Sequence, residues 1–215
     1  MIAILVSHVA ASTITIASSR VASSWQWYLI RAAGFVSAGL LIMLMLSGIG
    51  QVTGLTYRFL EPVKAWALHK AMALALCVSL VIHIGMLLFD HFVSFSLAQL
   101  LIPFLSHTNN ATTFVGIALG GLAVTFGILA MYGIVTIVLS SLGWIDTRQK
   151  TWRWLHYLSY GVVVLVFLHG LYVGTDLRYG IFRATWIVFG LVLVLAILSR
   201  LRHVGSLRKP DDLAS

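Results

Sequence analysis

Charged side chains make up only 9% of this 215-residue chain, and only six of them are acidic. A soluble domain carries about a quarter of its residues as Asp, Glu, Lys and Arg, so that class is excluded. Proline occurs three times and cysteine once. With so little proline there is no Pro-rich linker to divide the chain, and no internal repeat or low-complexity tract divides it either. The lone Cys77 excludes a disulfide framework, a zinc cluster and a thiolate-held iron–sulfur site. Lying midway along an apolar run, it reads as a small hydrophobe. No GxGxxG follows a strand-like run, so the fingerprint of a dinucleotide site is missing too.

What the chain has in abundance is apolar surface: 60% of its residues are hydrophobic. A helix needs about 20 mostly apolar residues to cross a ~30 Å hydrocarbon core at ~1.5 Å per residue. Six stretches approach that length, near 2–19, 26–50, 66–89, 111–141, 152–174 and 181–201. The expected fold is therefore all-α, a single integral membrane bundle of six helices occupying residues 1–215. Ser7, His8, Ser12, Thr13 and Thr15 dilute the first stretch. No Lys or Arg precedes it, which favours a retained helix over a cleaved signal peptide. The connection from Phe92 to Thr113 carries Phe95, Leu97, Leu100, Leu101, Ile102 and Phe104, a pattern expected to lie on the membrane surface until Pro103 ends it.

The net charge of +8 has its bland explanation in topology rather than in nucleic acid, which is not expected as a partner. Arg58, Lys64 and Lys70, then Arg148, Lys150 and Arg153, then Arg200, Arg202, Arg208 and Lys209 all fall on one side of a six-helix arrangement. Arg20, Arg31, Arg178 and Arg183 fall on the other. Basic residues collect on the cytoplasmic side, so both termini are expected there, and the lipid bilayer is the first partner.

Four of the eight histidines stand out: His69 and His83 in one stretch, His156 and His169 in another. Ionisable side chains inside a bilayer are costly and call for a partner. Fourteen residues of helix span ~21 Å, which sets one histidine near each leaflet. With an even number of crossings between them the two helices run in the same direction, so His69 lies level with His156 and His83 with His169. Two stacked sites result, each with imidazoles facing across a gap, as an axially ligated haem iron requires. Fourteen residues return within ~40° of the starting face, but thirteen miss it by ~140°, so tilt of the second helix or a distorted turn near Gly161 is expected.

The HxxxxxxxxxxxxxH of residues 69–83 and the repeat shorter by one at 156–169 resemble the ferric reductase-like transmembrane domain shared with NADPH oxidases. Trp152-Arg153-x-Leu155-His156-x-Leu158-Ser159-Tyr160 and His169-Gly170-x-x-x-Gly174-Thr175-Asp176 extend the resemblance. It implies two haems b held by His69, His83, His156 and His169, and electron transfer from a cytoplasmic flavin donor to an outer acceptor such as ferric chelate. Family members with a joined flavin and NADPH domain carry it after the last helix, where only 13 residues follow Arg202. FAD or FMN is therefore expected on a separate flavoprotein reductase, and the setting on a bacterial plasma membrane. Oxygen-reducing members place a further histidine where Leu87 stands, so superoxide production is not expected.

Other readings stand beside this one. A quinone-linked haem b subunit of a periplasmic reductase matches the same residues, and a transporter passing metal ions or protons along its histidines represents another class. Arg31 is a candidate for a haem propionate or for snorkelling to the headgroups, and Arg153 and Lys70, beside the inner ligands, carry the same two readings. Asp176 and Arg178 are candidates for receiving the acceptor. His91 and His107 at loop edges, His203 in the basic tail and His8 read as solvated or interfacial. Trp66, Trp144, Trp152, Trp154 and Tyr157 read as an aromatic belt, and Gly116, Gly120, Gly121 and Gly127 as points of close helix approach.

Overall fold

A backbone in hydrocarbon must hydrogen-bond to itself, and the α-helix does so within one segment. The computed structural model follows that rule and is almost entirely helical. It describes residues 2–90, 94–106, 113–114, 117–178 and 180–206, with side chains described for 25–90, 94–106, 119–178 and 180–202. Helix α1 is Ile2–Val52, α2 Pro62–Leu87, α3 Leu97–Leu101, α4 Gly121–Gly143, α5 Gln149–His156, α6 Leu158–Val173 and α7 Gly180–Ser206. Two short strands, β1 Thr113–Phe114 and β2 Ile117–Ala118, pair antiparallel ahead of α4. Among the described residues five stretches are long and apolar enough to cross a membrane: Trp25–Val52, Pro62–Leu87, Gly121–Gly143, Gln149–Val173 and Gly180–Arg202.

Three features depart from expectation. Stretches 2–19 and 26–50 are one continuous helix, because Val-Ala-Ser-Ser at 21–24 contains neither proline nor glycine to end it. The expected sixth crossing, and the cytoplasmic N-terminus that depended on it, are thereby left without their turn. Helix α4 begins at Gly121, not near 111. Gly120 sets that start with a φ of +51°, a left-handed conformation that glycine adopts at least cost. Gly120 and Gly121 thus stand at the start of the helix, while Gly116 lies outside the described residues. The stretch 152–174 starts earlier, at Gln149, and is divided at Tyr157.

Helix α1 ends at Gly54, whose φ of +77° reverses the chain, and Pro62 opens α2 at a position where its missing N–H has no cost. The two form an antiparallel hairpin packed along its length. Ser37 donates to Ser79 at 3.0 Å and Ser79 to the Ala33 carbonyl at 2.9 Å, buried polar stitches of the kind that hold helices together in lipid. Helices α4 and α6 form a second closely packed pair, whereas the two pairs touch one another sparsely. An apolar core of Leu41, Leu44, Met45, Met72, Leu76, Ala130, Ile134 and Val163 joins them at mid-height. At one end Trp186 of α7 stacks on Phe167 of α6 at 5.5 Å, and its indole N–H donates to the Phe167 carbonyl at 3.2 Å.

Candidate functional site

The sparse contact between the hairpins leaves one level at which His69 and His156 face one another and a second at which α2 and α6 carry His83 and His169. At the first, His69 of α2 and His156, the last residue of α5, have ring centroids 6.4 Å apart at 45°. Ser47 of α1 lies 2.7 Å from His69 Nδ1. The Ser47 hydroxyl also reaches the Leu44 carbonyl at 3.2 Å, and when it donates there its oxygen accepts from the imidazole N–H. That assignment protonates Nδ1 and leaves Nε2 with its lone pair. Across the gap, Trp152 lies 5.2 Å from the His156 ring at 37° and donates its indole N–H to Ser141 at 3.0 Å. His156 Nδ1 is buried with no hydrogen-bond partner among the described residues.

The second level is more regular. His83 of α2 places Nδ1 2.9 Å from the Ile30 carbonyl of α1, and His169 of α6 places Nδ1 2.8 Å from the Ala123 carbonyl of α4. A carbonyl only accepts, so each Nδ1 carries the proton and each Nε2 is free to bind a metal. One helical turn beyond each accepting carbonyl stands a glycine facing the same ring. A Cβ on Gly34 would lie 3.1 Å from His83, and one on Gly127 would lie 2.7 Å from His169. Helices α1 and α4 thus hold the two imidazoles by the same device, a carbonyl at one position and a glycine four residues later. Gly48 provides the matching approach to His69, with 3.6 Å available to a Cβ.

Arg31 follows Ile30 on α1, and its guanidinium grips the Asp176 carboxylate in a bidentate pair, Nε to Oδ2 at 2.6 Å and Nη2 to Oδ1. The pair ties the middle of α1 to the connection between α6 and α7. Beside it Arg183 donates to the Arg178 carbonyl at 2.6 Å. Arg153 is exposed on α5 and Lys70 is exposed on α2, its ammonium 4.3 Å above the Trp66 ring. His91 and His107, and the side chains of His8 and His203, lie outside the described residues.

The tightened turn between His156 and His169 lies at Tyr157, whereas α6 runs unbroken through Gly161. Tyr157 N–H is shared between the Arg153 and Trp154 carbonyls at 3.2 Å each, and Tyr160 N–H bonds back to Tyr157 O at 3.2 Å. A turn tightened in this way advances ~120° per residue instead of ~100°, the direction needed to recover part of the ~140° by which thirteen residues miss the starting face. Trp152 belongs to this site and is more than an interfacial anchor, whereas Trp66, Trp144, Trp154 and Tyr157 are exposed as a belt requires. Gly34 and Gly48 repeat the 14-residue spacing of His83 and His69 on the antiparallel partner helix, a signal present in the sequence and not used above.

Each level offers two imidazole nitrogens. Among the described residues no three His, Cys, Asp or Glu side chains converge on one point. A metal held here would take its remaining ligands from another source, such as a planar macrocycle lying between the rings. Comparison with protein-family models, curated proteins and solved structures finds no match.

Proposed function

We propose that this chain is a ferric reductase-like membrane subunit. In this reading it binds two haems b, one between His69 and His156 and one between His83 and His169, and carries electrons from a cytoplasmic flavoprotein to an outer acceptor such as a ferric chelate. The observation that supports this most is the state of the imidazoles: the Ile30 and Ala123 carbonyls hold Nδ1 of His83 and His169 and so present Nε2 as a ligand. Separation supports it too. Two imidazole–metal bonds of about 2 Å, with about 1 Å from each nitrogen to its ring centre, require centroids roughly 6 Å apart. The 6.4 Å between His69 and His156 meets that requirement.

When bound, haem supplies a one-electron iron couple whose potential follows from its axial ligands and their hydrogen bonds. The chain's own part is to fix the rings, exclude water and keep the levels apart. Leu41, Leu44, Met45, Met72, Leu76, Ala130 and Ile134 pack the space between the two levels with apolar side chains. Among the described residues, the buried hydroxyls between the levels, Ser37 and Ser79, bond to one another and to the Ala33 carbonyl and do not extend into a file for a proton or metal ion, which argues against the transporter reading. Vesicles carrying the haem-loaded protein, with a ferric chelate trapped inside and dithionite outside, test the proposal. Chelate reduction should exceed that of protein-free vesicles and fall to their level with His69→Ala or His169→Ala. Native protein no faster than empty vesicles would refute it.

A further inference from the structure

Between His91 and Asn110 the chain has no charged residue, and the part of it described, 94–106, does not rest on top of the bundle. Two hydrogen bonds fix its depth. Phe104 N–H donates to Thr125 Oγ1 at 2.9 Å, and the Tyr132 hydroxyl donates to the Leu101 carbonyl at 2.7 Å. Both side chains belong to α4, which begins at Gly121. At 1.5 Å per residue Thr125 lies ~6 Å and Tyr132 ~16 Å below that start. A tyrosine leans back towards the N-terminus of its helix, which still leaves the Leu101 carbonyl on the order of 10 Å below the start, within the hydrocarbon of that leaflet.

We propose that residues 96–106 form a re-entrant segment seated in the outer leaflet beside α4, with Leu97, Ile102 and Phe104 against lipid acyl chains. Non-helical backbone survives at that depth only when its polar groups are satisfied by protein. Here they are. Ser96 and Gln99 cap α3 reciprocally, and Leu100 and Ile102 N–H bond to the Ser96 and Ala98 carbonyls at 3.2 and 2.8 Å. Pro103 has no N–H to satisfy, Phe104 N–H is taken by Thr125, and Leu105 N–H reaches the Ile102 carbonyl at 3.4 Å. Apart from Ser96 at its start, the side chains left outward are apolar: Leu97 is 58% exposed, Ile102 53% and Phe104 67%, a surface suited to hydrocarbon rather than water. Phe104 holds a φ of +67°, costly for a residue with a Cβ, and its bond to Thr125 keeps it there. The segment is thus inserted, where the sequence alone suggested that it lies on the surface.

Nitroxide labels at Ile102→Cys, Leu97→Cys, Ser94→Cys and Val135→Cys, in a Cys77→Ser background reconstituted in lipid vesicles, test this without reference to any haem. The Ile102 and Leu97 labels should be relaxed by oxygen and shielded from an aqueous nickel chelate, as the label at the lipid-facing Val135 of α4 will be. The Ser94 label should show the reverse. Adding Tyr132→Phe should raise nickel access at Ile102 several-fold, because the Leu101 carbonyl then loses its donor. Nickel access at both Ile102 and Leu97 equal to that at Ser94 in the parent protein would overturn the proposal.

Discussion

A neutral imidazole carries one N–H and one lone pair, so whatever holds Nδ1 decides what Nε2 can do. At His83 and His169 the holder is a backbone carbonyl, which has no signature in a sequence. The histidines themselves were legible from their depth in apolar stretches, and the carbonyls that orient them were not. The glycines lie between these cases, since their type is readable but the ring they face is not. Gly127→Val should push into the His169 ring, at a cost of about 1–3 kcal/mol for overpacking, and lower haem content at that level. Gly39→Val, on α1 with nothing within 4 Å of its Cβ, should leave haem content unchanged. Haem-to-protein ratios of the two variants check this, and equal loss from both would detach Gly127 from the site. His83→Ala should reduce the ratio from about two towards one, because each level needs both of its imidazoles and shares neither with the other. Two haems with unaltered spectra in that variant would break the proposed pairing.

At the scale of elements, the apolar runs gave the spanning helices, and the breaks between them were harder to read. Residues 111–120 are as apolar as a helix, but Thr112, Thr113, Val115 and Ile117 favour extended structure and Gly120 needs φ above zero. The opposite error lay in α1, where hydroxyl residues at 7–15 suggested a separate weak helix although nothing between 20 and 25 interrupts the backbone. Which elements become tied by a charge pair was not legible either, because Arg31 and Asp176 stand 145 residues apart. The half-buried pair between them should act as a clasp between α1 and the turn after α6. A double-mutant cycle with Arg31→Ala and Asp176→Ala, read by thermal unfolding in detergent, should give a coupling of about 1–2 kcal/mol. Additive losses would mean that the two side chains meet without stabilising the fold.

For the whole molecule, eight of the twelve Lys and Arg residues within the described backbone gather at the end that holds the connections after α1 and α4 and the C-terminal end of α7. Under the proposed function, the positive-inside bias places that end on the cytoplasmic side and the His69/His156 level nearer the donor. In intact cells, and in a Cys77→Ser background, an impermeant thiol reagent should label Ser94→Cys and spare Thr147→Cys. The opposite pattern would reverse the orientation and exchange the inner and outer levels. The central claim, that paired imidazoles at two levels each hold a haem, is tested most directly by one optical measurement on the purified chain, a reduced-minus-oxidised spectrum with quantified haem per protein. The account predicts b-type bands at about two haems per chain, with axial imidazoles on both. A colourless protein, or one whose spectrum survives loss of all four histidines, would contradict it.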